Sequence, residues 1–134
     1  MDTGKNKSLV LKMAGLYNIS WGAFTVLFPN KIFEWTQLPL PQYPEIWQCV
    51  GMIVGVYGVG YWIAGNDYEK HWVIVLVGFL GKVFGPIGFG KALYDQTFNM
   101  AFGMQIIFND LIWWVPFGYI LYKVWRKNNG YANP

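Results

Sequence analysis

Four long apolar blocks separated by polar connections organise this chain. They run from about Ser8 to Pro29, Ile46 to Gly65, Trp72 to Tyr94 and Ala101 to Trp125. Each approaches or exceeds the roughly 20 residues a helix needs to cross about 30 Å of hydrocarbon. Lipid leaves the backbone only helices or closed barrels, and these runs are too long for barrel strands. The pattern predicts an all-α integral membrane protein. Short connections predict antiparallel neighbours, giving four transmembrane helices in one bundle and a single domain over residues 1–134. The first block contains Asn18 and no convincing cleavage site follows it, so it reads as a retained span rather than a removed leader.

The one longer connection is "NKIFEWTQLPLPQYPE", Asn30 to Glu45. Phe33, Trp35, Leu38 and Leu40 are apolar, while Pro39, Pro41 and Pro44 forbid a continuous helix. An interfacial segment lying on the bilayer is expected, with Pro44 in the first turn of the second span. A lid over an outward-facing cavity is the alternative.

Composition agrees with the pattern. Only 13% of residues are charged, against about a quarter in a soluble domain. The basic residues are unevenly placed. Lys5, Lys7, Lys12, Lys70, Lys123, Arg126 and Lys127 flank one side, and Lys31 and Lys91 the other. That asymmetry predicts cytoplasmic termini and a cytoplasmic "NDYEKH" turn. The basic balance thus reports topology and an anionic leaflet, not nucleic acid. Trp35 and Trp47 are expected at the outer interface, and Trp62, Trp72 and Trp125 at the inner one. Trp21, Trp113 and Trp114 fall within the hydrocarbon, where packing bulk is their simplest role.

Glycines predict the packing. Gly51, Gly55 and Gly58 share a face of the second span, and Gly78, Gly81, Gly85 and Gly88 a face of the third. Small residues in stripes let helices approach closely, so these two spans are expected to touch tightly.

Lys82 stands beside that stripe, about 40° from Gly78, and so points toward the helix-packed interior. Pro86 has no N–H to give the Lys82 carbonyl, so a kink or a bound water is expected there. Pro116 is a second expected kink, in the fourth span. Lys82 and Asp110 lie about 15 Å and about 13.5 Å into their spans and are nearly level, which predicts an ion pair. Asn18, Tyr57 and Asn109 reach the same layer. A polar cluster at the midplane is a candidate ligand or proton-relay site, since a lone charge there costs about 2.5–3.5 kcal/mol. The alternative is a structural pair that fixes helix register.

Catalytic signatures are missing. One cysteine, Cys49, permits no internal disulfide, and one histidine, His71, supplies neither haem ligation nor a zinc site. No phosphate-binding or nucleophile-elbow motif occurs. No cofactor or metal is predicted, and the chain leans away from enzyme function.

The stretches "AGLYNISWG", "YPEIWQCVGMIVGVYGVGYWIAG", "LVGFLGKVFGPIGF" and "NDLIWWVPF" resemble small bacterial DoxX-like four-helix membrane proteins across nearly the whole chain. The resemblance implies a bacterial inner-membrane location and a scaffold-like role, and carries over no catalytic residues. Three functions are compatible with these features. A small scaffold or accessory subunit, packed against itself or a larger membrane complex, suits the glycine faces and absent motifs. A carrier or proton relay would use Lys82 and Asp110. A pocket or enzyme for a lipid-soluble ligand would have Trp113, Trp114 and Tyr57 as walls.

Overall fold

The computed structural model describes residues 6–130, and all regular structure among them is helical. Helix α1 is Leu9–Leu27, α2 Lys31–Trp35, α3 Pro44–Ala64, α4 Trp72–Tyr94, α5 Met100–Ile106 and α6 Ile112–Asn128. A five-residue π turn, Ile107–Leu111, joins α5 to α6 without a break. Lys5, one of the residues of the charge asymmetry, lies outside the described residues.

Local chemistry places the starts of these helices. The Ser8 hydroxyl accepts from the Leu11 amide at 3.2 Å, and Asn99 Oδ1 from the Phe102 amide at 2.9 Å. Each satisfies one of the orphan donors of a first turn. Pro44 opens α3, where its missing N–H has no partner to lose.

Among the described residues, three helical stretches are long and apolar enough to cross a membrane: α3, α4 and the 29-residue run Met100–Asn128. Helix α1 has 19 residues, but Lys12, Asn18, Ser20 and Thr25 interrupt it, and it is less apolar than those three. Large apolar side chains such as Val56, Phe84 and Val115 stand exposed on α3, α4 and α6. In water such a surface would be a liability, whereas in hydrocarbon it costs nothing.

The tight glycine contact is between α1 and α3, not between α3 and α4 as the glycine stripes suggest. A Cβ at Gly15 would lie 2.6 Å from the Gly58 carbonyl oxygen, and one at Gly22 only 2.4 Å from that of Gly51. Gly15 and Gly22 are seven residues apart, as are Gly51 and Gly58, so two bare backbones nest along their length. Gly15 opposes Gly58 and Gly22 opposes Gly51, so α1 and α3 run in opposite directions. Gln48 extends the seam by donating to the Val26 carbonyl at 2.8 Å.

The apolar core sits toward one end. Leu11, Ala14, Tyr61, Ala64, Tyr68, Val75, Trp113, Phe117, Ile120 and Val124 form a single cluster beside the turn that joins α3 to α4. This end is also cross-linked. The Ser8 amide donates to Gly65 O and the Tyr68 amide to Asn6 O, while Lys127 pairs with Glu69. At the opposite end α2 is not merely superficial. Phe33 is buried against the rings of Trp47 and Phe102, and Asn99 Nδ2 donates to the Thr36 carbonyl at 2.8 Å. Trp47 packs inward against Trp21, Phe33 and Phe102, whereas Trp35 is exposed.

Candidate functional site

Lys82 is 4% exposed, in the middle of α4. Its ammonium donates to the backbone carbonyl of Asn109 at 2.5 Å. The rings of Tyr61, Phe117 and Trp113 surround it at 5.6, 5.7 and 6.0 Å from their centroids. Such faces attract a cation through their quadrupoles, most strongly where water is excluded.

The expected ion pair with Asp110 does not form within 4.0 Å; the ion pairs among the described residues are Lys31–Glu34, Lys91–Asp95 and Lys127–Glu69. The two side chains line the same cavity. The lysine goes instead to the carbonyl of Asn109, which lies in the π turn. The Asp110 carboxylate lies against Gly85, where a Cβ would come within 2.7 Å of Oδ2.

Asn109 is the hub of this layer. Its side-chain oxygen accepts from the Tyr17 hydroxyl at 2.5 Å while its carbonyl holds Lys82, so one residue ties α1 to α4. The carbonyl that Pro86 frees is also satisfied by a side chain. The Trp114 indole N–H donates to Lys82 O at 2.8 Å. Trp113 does the same inside its own segment, donating to Phe108 O at 2.8 Å across the π turn. Both tryptophans thus act through N–H groups, and neither lines the cavity beside this layer. Pro86 and Pro116 sit inside α4 and α6, and the helices continue through both.

Beside this layer lies a cavity of about 430 Å³. It is a wedge between α3 and α4, which touch near their connecting turn through Gly60 and Ile74 and through Tyr61 and Gly78. Beyond that point Gly81 and Gly88 have no atom within 4 Å of a notional Cβ, and both line the cavity. The α4 glycines are therefore sockets and open wall, not a helix-packing stripe. Gly78 receives the Tyr61 ring, Gly85 receives Asp110, and Gly81 and Gly88 leave space.

The cavity has two chemically different ends. Trp21, Trp47, Phe89, Phe98 and Phe102 form an aromatic end, joined by edge-on contact of Trp21 with Trp47 and stacking of Phe98 on Phe102. Asn18, Tyr57, Tyr61, Lys82, Gln105, Asn109 and Asp110 supply polar atoms. Of the predicted site residues, Asn18, Tyr57, Lys82, Asn109 and Asp110 come together here, while Trp113 and Trp114 do not. Tyr17, Tyr61, Gln105 and the aromatic end were not singled out from sequence. Gln105 carried a signal: it is an amide within an apolar span, four residues before Asn109.

Among the described residues lining this space, Asn18 and Gln105 carry three buried polar atoms without a protein partner: Asn18 Oδ1, Gln105 Oε1 and Gln105 Nε2. Both amide atoms of Gln105 are unpaired, so its orientation does not alter the point. Buried polar groups are almost always hydrogen-bonded, and leaving one unpaired costs about 1–3 kcal/mol. Among the described residues no group of three His, Cys, Asp or Glu side chains is placed to hold a metal. No protein-family model, curated protein or solved structure matches this chain.

Proposed function

We propose that the chain is an integral membrane protein with four antiparallel spans whose cavity binds one small lipid-soluble molecule. The spans are α1, α3, α4 and the run from α5 through α6. The end carrying the turn after α3 faces the cytoplasm, because Lys7, Lys12, Lys70, Lys123, Arg126 and Lys127 gather there. The bacterial inner membrane is the location the DoxX-like resemblance implies.

One observation carries the binding role: Asn18 and Gln105, two residues lining the cavity, carry three buried polar atoms without a protein partner. Its volume of about 430 Å³ lies in the lower part of the roughly 300–1,000 Å³ range of small-molecule sites. One compact molecule fits, and a two-chain phospholipid does not. A scaffold role is less favoured because the α4 glycines hold space or single side chains instead of a helix surface. A proton relay is less favoured because Lys82 is anchored by a carbonyl and three rings, which hold it still.

The test is organic extraction of the purified protein and mass spectrometry of the extract, beside Gly81→Leu/Gly88→Leu. Leucines at those positions enter open space and fill the cavity. A small molecule recovered near one per chain from the parent, and lost from the filled variant, is expected. Identical extracts from the two would refute binding at this place.

A further inference from the structure

The chemistry of the cavity narrows what it holds. We infer that the occupant is an uncharged molecule with a flat ring body and a hydroxyl-bearing edge, of the phenol class. This rests on the binding role proposed above.

Charge comes first. Among the described residues, the formally charged side chains lining the cavity are Lys82 and Asp110, and they cancel. An anion or cation added there would leave a net charge in a low-dielectric space, which is costly without a dedicated counter-ion. The route in imposes the same selection. Val50, Ile53, Gly81 and Gly88 line the cavity and are exposed on α3 and α4. That is the face those helices turn to hydrocarbon in the proposed topology, so the entrant must dissolve in lipid.

Shape comes second. Trp21 and Trp47 meet edge to face at 5.7 Å, while Phe98 and Phe102 stack at 4.4 Å. Aromatic walls set at different angles offer both faces and edges, which suits a planar ring better than a flexible alkyl chain.

The polar edge comes third. Asn18 is 4% exposed and its Oδ1 has no partner, so it calls for a donor. Gln105 presents an unpaired donor and an unpaired acceptor. The Lys82 ammonium carries three protons, and its one direct hydrogen bond goes to Asn109 O. A hydroxyl donates and accepts, so it can answer any of these groups. A carboxylate cannot donate to Asn18, and a quaternary ammonium can do neither.

The experiment is quenching of tryptophan fluorescence in protein-loaded nanodiscs, since Trp21 and Trp47 line the cavity. Four bromobiphenyl probes are compared: hydroxy, unsubstituted, sulfonate and trimethylammonium forms. Quenching that survives in Gly81→Leu/Gly88→Leu comes from probe dissolved in lipid and is subtracted. The hydroxy form should saturate the remainder at roughly tenfold lower concentration than the other three, the size of one hydrogen bond made or lost. Asn18→Leu should erase most of its advantage over the unsubstituted form. A sulfonate or ammonium form that binds as well as the hydroxy form overturns the uncharged class and leaves cavity binding standing. An unsubstituted form that binds as well overturns the polar edge. If no probe gives quenching sensitive to the filled variant, binding itself fails, and this inference with it.

Discussion

Adding one methyl group at Gly22 and one at Gly55 should have opposite effects on stability, although the two glycines face the same seam. At Gly22 the new Cβ would sit 2.4 Å from Gly51 O and 2.9 Å from Gly55 N, both backbone atoms that no rotamer change can move. Reaching ordinary contact requires α1 and α3 to separate by about 1 Å. Overpacking of this kind costs about 1–3 kcal/mol. At Gly55 the nearest atom is Gly22 Cα at 4.0 Å, which is ordinary contact. Alanine gains up to about 1 kcal/mol over glycine within a helix, and that term is common to both variants. The difference between Gly22→Ala and Gly55→Ala therefore isolates the clash. It should be about 1–3 kcal/mol, or roughly a fivefold to 150-fold change in the folding equilibrium. Reversible unfolding by sodium dodecyl sulfate in mixed micelles, monitored by tryptophan fluorescence, measures it. If Gly22→Ala proves as stable as Gly55→Ala, the two backbones do not nest and the α1–α3 seam is wrong.

Two further outcomes bear on the hydrogen bond to Lys82 O and on topology. Trp114→Phe should destabilise by about 1–3 kcal/mol by stranding that carbonyl, and much less in a Pro86→Ala background, where the helix supplies its own N–H. A double-mutant cycle with no coupling between the two positions would refute that link. In a Cys49→Ser background, Gln42→Cys should react with an impermeant maleimide applied outside the cell and Asn66→Cys should react only after lysis. The reverse pattern would invert the proposed orientation.

Much of the fold is readable in the chain itself. The apolar blocks become helices close to their expected ends, Pro44 opens α3, and the Lys82 carbonyl does lack its helical donor. What the sequence could not supply was partners. Depth along a helix comes from counting at about 1.5 Å per residue, but which atom meets which depends on rotation about the axis. Counting puts Lys82 and Asp110 level, yet the lysine reaches a backbone carbonyl one residue away from the carboxylate. Glycine spacing likewise marks a bare face without saying what fills it. Gly51 and Gly58 meet a helix, Gly78 meets a ring, and Gly81 meets nothing. The matching pair Gly15 and Gly22 is visible in the sequence but lies in α1, where Asn18 is the more conspicuous residue.

The π turn at Ile107–Leu111 has a consequence for how this protein tolerates insertions and deletions. On an unbroken α-helix, Phe102, Gln105, Asn109, Trp113, Phe117 and Ile120 would fall within one stripe about 120° wide. A turn closed by i→i+5 bonds holds one residue more than an α-helical turn, and so offsets the residue register of α5 against α6 by about 100°. The extra residue lets Phe102 and Gln105 address the cavity while Trp113 and Phe117 address the core. Deleting a single residue between 107 and 111 would leave every side chain chemically intact on both sides. An unbroken α-helix would then replace the π turn with α5 and α6 in the same relative rotation, so the cavity wall would stay in place, and the loss would be the turn whose Asn109 carbonyl holds Lys82.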